Sequence, residues 1–301
     1  MGKLRKSTVD KLFWLVLVIP AMLIVAAFIL VPIADSVRMS FTEYKMKNIL
    51  QGTPAEWNDF GNYLKLFSNN RFLPSTLRTF EFVLWVVVAQ FLIGMVFALL
   101  LNSNIKGARF IRSIMMMPWV VPTVISALVW MWIYQSQYGL FRYLVNLFSF
   151  GRVTDFGMLN STTWAIVGIG IAALWKQIPL TTLLLLAGLQ NVPDDIVEAA
   201  TIDGAGYFTR ITRIVLPYMR SVISVVITMA IIENFKQFPL IWTMTGGGPS
   251  NSTTTLAILS YREAFVSQNL GSGAAVTTIW MLLMILVVAV FKKIVGRQQA
   301  E

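Results

Sequence analysis

Two stretches of the chain carry polar side chains at a spacing that gathers them on one side of a helix. Ala173, Lys176, Gln177 and Leu180 fall at i, i+3, i+4 and i+7, and Ala230, Glu233, Asn234 and Gln237 repeat the pattern. The amides can donate and accept hydrogen bonds, and Lys176 and Glu233 can pair with each other or with a charged ligand. Covalent chemistry finds little support. The 301 residues include no Cys and no His, which excludes thiol nucleophiles, disulfides, thiolate or imidazole metal sites and Ser-His-Asp triads. The Asp residues at 10, 35, 59, 155, 194, 195 and 203 lie outside the long apolar runs, so no intramembrane carboxylate pair can form from them. The catalytic residue set is therefore empty, and the two polar faces suit the binding and passage of a polar solute.

The elements that carry these faces are apolar helices. Hydrophobic residues make up 56% of the chain and charged residues 13%, against about 25% charged in an ordinary soluble domain. The apolar residues come in blocks of twenty or more, not in half-buried stripes, which points to lipid as the solvent. Six runs are long enough to cross roughly 30 Å of hydrocarbon at about 1.5 Å per residue. They cover 12–33, 79–101, 111–134, 162–188, 218–242 and 274–291. The predicted fold class is all-α, a polytopic membrane protein with about six transmembrane helices. Lys3, Arg5, Lys6 and Lys11 before the first run resemble a signal peptide, but the run to Ile33 is too long for one and reads as an uncleaved span. The segment from Ala34 to Arg78, with Gly52, Pro54, Gly61 and Pro74, reads as a loop with short helical pieces. Prolines 118, 122, 179 and 239 sit inside predicted spans, where each removes a backbone donor and tends to kink the helix.

The net charge of +10 does not mark a nucleic-acid binder, because the 24 Lys and Arg are scattered between apolar blocks. They are asymmetric across the membrane. With the N-terminus inside, the inner segments hold 13 of them in 64 residues and the outer segments 9 in 103. Basic residues concentrate on the cytoplasmic side, so both termini, residues 1–11 and 292–301, are expected there, with the six-span domain over 12–291. In this arrangement Lys176 and Glu233 lie roughly 18 and 22 Å from the inner ends of their spans, at about 1.5 Å per residue. The two polar faces can therefore meet at similar depth.

One long inner loop remains, residues 191–217. Asn191 can cap a helix, Pro193 suits an early helical position, and Asp194 and Asp195 complement the positive end of the dipole. Gly204 and Gly206 supply a stop. Its acidic residues and alanines fit partner docking better than a membrane surface, which favours Lys, Arg and large aromatics. Within it, Glu198, Ala199, Ala200, Gly204, Ile214, Leu216 and Pro217 form the pattern Glu-Ala-Ala, three residues, Gly, nine residues, Ile, one residue, Leu-Pro. This pattern resembles the signature of membrane subunits of binding-protein-dependent ABC importers, without departure. The resemblance implies that Glu198, Ala199, Ala200, Asp203 and Gly204 belong to a coupling helix that sits in a groove of an ATPase subunit.

Further along, residues 243–257 and 261–275 resemble the carbohydrate branch of that family, in particular the first permease of the maltose and glycerol-phosphate type. The maltose protein's extra N-terminal spans and large external domain are absent here. The resemblance implies a permease for a sugar or oligosaccharide, acidic ones included, in a bacterial or archaeal plasma membrane. It implies as partners a second homologous permease, two ATPase subunits and an external binding protein. No phosphate-binding loop of the form G-x-x-x-x-G-K-[ST] occurs in the chain, so no cofactor is expected on it, and ATP with Mg belongs to the ATPase. Aligned outward from the signature, most of Lys176, Gln177, Leu180, Glu233, Asn234 and Gln237 match positions lining the family's sugar site, though with different residue types. Trp119, Trp130, Trp132 and Trp175 can stack on sugar rings or pack as interfacial anchors. An ion-coupled secondary transporter using Lys176, Glu233 and Lys236 is the alternative; the docking loop argues against it. A passive membrane scaffold would leave the facing polar groups unexplained.

Overall fold

The structure is a computed structural model that describes residues 2–103, 106–152 and 156–297. The side chains of Lys3, Arg5, Lys6, Asp10 and Lys11, with Asp155 and residues 298–301, lie outside that description. Among the described residues, four helices are long and apolar enough to cross a membrane, namely Val16–Met39, Phe72–Asn102, Ala165–Leu189 and Leu270–Val295. Two bent pairs pass the same test, Ala108–Val120 with Thr123–Ile133 and Tyr207–Tyr218 with Arg220–Phe235, bent by 94° and 76°. With each bent pair taken as one span the count reaches the expected six, but the second pair covers 207–235 where 218–242 is expected, so it begins inside the expected 191–217 loop. The chain is an all-α polytopic membrane protein.

Spans three and five are not the simple helices that their hydropathy predicts. Proline explains the first break: Val121 precedes Pro122 and takes ψ 131°, the extended region that the following ring imposes, and Pro122 offers no N–H to continue the helix. The expected fifth span, 218–242, is cut after Phe235, and a separate helix, Pro239–Thr245, begins with proline at its first turn. Pro179, by contrast, stays inside the unbroken helix Ala165–Leu189.

The chain divides into two compact units, residues 1–69 with 260–279, and residues 70–259 with 280–301. In the first, the helix Val16–Met39 has none of its apolar window buried within the chain, as suits a surface meeting lipid or another subunit. A two-residue hairpin then pairs Thr42 with Trp57 and Glu43 with Glu56. The buried Asn62 side chain ties this turn down by donating to the carbonyls of Ser40 and Thr42, both at 2.8 Å. Phe41 stacks on Trp57 and touches Tyr63. Lys45 bonds Glu43 at 2.6 Å, and that ammonium holds the Glu43 carboxyl below its ordinary pKa of 4.5.

In the second unit, Phe72–Asn102 and Ala165–Leu189 form the main packed pair. Phe82, Val86, Ile166, Ile169, Ala172 and Ala173 are buried between them and the broken span. Glycines permit the close approach: Gly170 faces the Trp85 ring, Gly94 faces Thr181, and Gly188 faces Met219 and Val222. Small residues at such crossings let membrane helices gain contact where the hydrophobic effect offers little. A second cluster, Met95, Ala98, Leu185, Leu186, Leu189 and Met219, packs the other end.

Candidate functional site: a polar cavity between the spans

Within the second unit, Ala165–Leu189 and Arg220–Phe235 border a cavity of about 350 Å³. Lys176, Gln177, Leu180, Glu233 and Gln237 all line it, so five of the six candidate pathway residues share one wall. Its apolar part is Leu184, Val226 and Met229 with Leu180. Ala230 also lines it, as do Gln90 and Thr181, and Trp119 and Thr123 on either side of the span-three break, none of these last four being on the two helical faces. Gln90 carried a signal in the sequence, as the one amide in the apolar run 79–101; a polar residue at that depth needs a partner. The faces also include Ala173, which the structure buries in the core instead.

Asn234 sits behind the cavity wall, 3% exposed. It exchanges hydrogen bonds with Gln177: Asn234 Nδ2 donates to Gln177 Oε1 at 3.0 Å, and Gln177 Nε2 donates to Asn234 Oδ1 at 3.3 Å. Asn234 Nδ2 also reaches Gln90 Oε1 at 3.3 Å and the Ala230 carbonyl at 2.9 Å. Gln90 Nε2 in turn donates to Thr181 Oγ1 at 2.6 Å. One buried network thus links three helices, with each amide oriented by another. Gln177 and Asn234 engage each other before any ligand arrives.

The two charges do not form an ion pair together. Lys176 Nζ donates to the carbonyl of Trp119 at 3.2 Å and to that of Val121, both at the broken span. Glu233 meets Lys236 at 4.0 Å, with both side chains more than half exposed. Trp119 borders the cavity, while Trp175 stands edge-on to Trp130, 6.0 Å between centroids, and Trp132 lines a separate cleft with Tyr138 and Asn160. The arrangement offers hydroxyl and amide partners, one apolar wall and two charges, a surface that suits a polyhydroxylated ligand.

The loop after the fourth span forms a short helix, Asp194–Ile202, with both acidic residues in its first turn. Pro193 is its cap position, at ψ 134°, and Asn191 lies before it, so Asn191 does not serve as the cap. Asp203 closes the helix, and Gly204 follows at φ +80°, a left-handed conformation that glycine adopts without strain. A Cβ on Gly204 would meet nothing within 4 Å of this chain. Glu198, Ala199, Asp203 and Gly204 are exposed and Ala200 is buried. Beside them Ile202 and Phe208 are 87% and 80% exposed.

A multi-span helical protein with a polar cavity between spans and an exposed acidic helix on one connecting loop belongs to the class of membrane transport subunits. Residues 90–300 match the family described as binding-protein-dependent transport system inner membrane component, and the chain belongs to that family. It is 36% identical to the trehalose/maltose transport system permease protein of Thermococcus litoralis, over 93% of this chain and 92% of that protein. It is 31% identical to the sulfoquinovosyl glycerol transport system permease protein of Agrobacterium fabrum, over 95% of this chain and 91% of that protein. A bacterial ABC transporter involved in import of the acidic polysaccharide alginate shares the fold, with a TM-score of 0.82 and 18% identity over 98% of this chain and 99% of that one.

Proposed function

We propose that this chain is the permease subunit of an ATP-driven importer whose cargo is a sugar or oligosaccharide, neutral or acidic, handed over by an external binding protein. The observation that carries the reading is the cavity at the crossing of the fourth and fifth spans, where Gln90, Gln177, Thr181 and Gln237 offer hydrogen-bonding groups opposite an apolar wall. Relatives at 36% and 31% identity are permeases for trehalose/maltose and sulfoquinovosyl glycerol, which supports the carbohydrate class.

The chain itself does no covalent chemistry in this reading. A separate pair of ATPase subunits, with ATP and Mg, docks on the coupling helix through Glu198, Ala199, Ala200, Asp203 and Gly204. The exposed acidic turn and the neighbouring apolar Ile202 and Phe208 give that surface both charge and contact area. A second homologous permease closes the other side of the cavity. The membrane is a bacterial or archaeal plasma membrane, with both termini and the coupling helix on the cytoplasmic side. Reporters fused after Glu301 and inserted at Gly52 should then report opposite compartments.

The decisive experiment reconstitutes the complete transporter in liposomes and follows uptake of labelled mono- and oligosaccharides presented by the binding protein. Uptake is expected to require ATP and to persist when ion gradients are collapsed. Uptake driven by an ion gradient without ATP would refute the assignment and favour a secondary transporter.

A further inference from the structure

The most specific charged contact in the cavity is made to backbone, not to a ligand or an acid. In a continuous helix the carbonyl of Trp119 would accept from the N–H of residue 123 and that of Val121 from residue 125. The extended backbone at Val121 and Pro122, with the 94° bend, removes both partners. Lys176 Nζ donates to the Trp119 carbonyl at 3.2 Å and to the Val121 carbonyl as well. A cation at the carbonyl end of a helix is also favoured by the helix dipole. Glu233, on the facing span, meets Lys236 at 4.0 Å and makes no direct ion pair with Lys176.

We infer that Lys176 is a positioning residue: its ammonium closes the break in the third span and ties that break to the fourth, and it does not serve to recognise an acidic cargo. Trp119 and Thr123, which flank the break, are both cavity-lining residues. Water in the cavity can solvate free carbonyls, but it cannot fix them to the neighbouring helix. The shape of this wall therefore depends on Lys176, and cargo recognition falls to the groups that remain. The inference deepens the proposed function and rests on it only for the meaning of the cavity; the contact itself holds whatever the cargo is.

The chain has no Cys, so a single Thr123→Cys is a clean reporter of the wall. In membranes containing the full transporter, the rate of its modification by a membrane-impermeant maleimide is compared in four backgrounds: Lys176, Lys176→Arg, Lys176→Met and Glu233→Gln. A Gly52→Cys variant serves as control for assembly. Lys176→Met should change the Thr123→Cys rate at least threefold, while Lys176→Arg, which keeps donors and charge, and Glu233→Gln should stay within twofold of the parent. An unchanged rate in Lys176→Met overturns the inference. So does an equal change in Glu233→Gln, which would mean that the two charges hold each other. If Lys176→Met fails to assemble, assembly of Lys176→Arg with a parental rate supports the inference, and failure of both overturns it. No sugar is needed for this readout, so a wrong cargo assignment shows in uptake and not here.

Discussion

Replacing Gln177 and Asn234 by Leu, singly and together, distinguishes a structural amide pair from two independent ligand contacts. The pair exchanges two hydrogen bonds, of 3.0 and 3.3 Å, and both residues are under a tenth exposed. Between membrane helices such bonds are worth about 0.6 kcal/mol on average and about 1.7 at most by double-mutant cycles. Two of them predict a coupling energy of about 1 kcal/mol, roughly a fivefold change in the folding equilibrium. Asn234→Leu alone should cost more than the coupling, because it also releases Gln90 Oε1 and the Ala230 carbonyl. Gln177→Leu should cost less than Asn234→Leu, since the Gln177 side chain bonds only to Asn234. The double variant should cost less than the sum of the singles, because a Leu pair leaves neither amide stranded. Unfolding of the purified complex by titration with a denaturing detergent gives the four free energies. Strict additivity, with stability unchanged in every variant and uptake abolished, would refute the argument and return both residues to direct sugar contact.

Three further outcomes follow from other parts of the chain. Gly170→Leu places its side chain into the Trp85 ring, and overpacking of this kind costs about 1–3 kcal/mol; thermal melting should fall, with partial recovery in Gly170→Leu with Trp85→Ala, and an unchanged melt would remove this crossing as a packing determinant. Glu198→Lys and Gly204→Leu should leave membrane levels normal while abolishing ATPase co-purification or uptake; the left-handed backbone at Gly204 costs a Leu about 1–2 kcal/mol locally, and normal uptake in both would remove the coupling role. The Glu43 carboxyl should titrate below 4.5 and return toward it in Lys45→Met; because the folded value is depressed, its small contribution to the Thr42–Glu43 hairpin is present above the ordinary value and lost as pH falls through the lower one, which site-resolved NMR titration of the parent and the variant checks.

Hydropathy was enough to give the class, because roughly 30 Å of hydrocarbon demands long apolar runs, and its count of six is met when each bent pair is one span. It could not show that span three breaks, since Val121 and Pro122 sit in an apolar run and hydropathy does not weigh a missing N–H; span five ends among Glu233, Asn234, Lys236 and Gln237, polar residues that were read as a face of the helix and not as its end. The prolines were visible, yet Pro179 sits in an unbroken helix while Pro122 marks a right-angled bend. Proline identity alone does not decide between a kink and a break; the packing of neighbouring helices does. Helical spacing gathered Lys176, Gln177, Leu180 and Glu233 because they lie on continuous helical faces; Gln237, expected on the same face, lies past the end of the helix Arg220–Phe235 and lines the cavity from the link that follows. The spacing missed Gln90 and Thr181 for different reasons, Gln90 lying on another helix and Thr181 one position off the chosen face. Within the 191–217 loop the helix was legible, but its cap was not: Asn191 has the right side chain, and Pro193 has the right backbone.

The partners of these polar groups bear on how a half-site can carry specificity. Gln177 and Asn234 orient each other, Gln90 is tied to Thr181, and Lys176 holds the broken span. Of these, Gln90, Gln177 and Thr181 line the cavity; groups fixed in this way reach a ligand without first losing rotamer freedom, so each hydrogen bond to a sugar hydroxyl costs less ordering. The same ties limit how many bonds this wall can offer. A cavity of about 350 Å³ is also near the small end of ligand sites, which span about 300–1,000 Å³. A disaccharide enclosed here would therefore need a second surface to satisfy its remaining hydroxyls and exclude water. In the proposed assembly that surface is the second permease. The affinity of the closed site would then depend on both chains meeting.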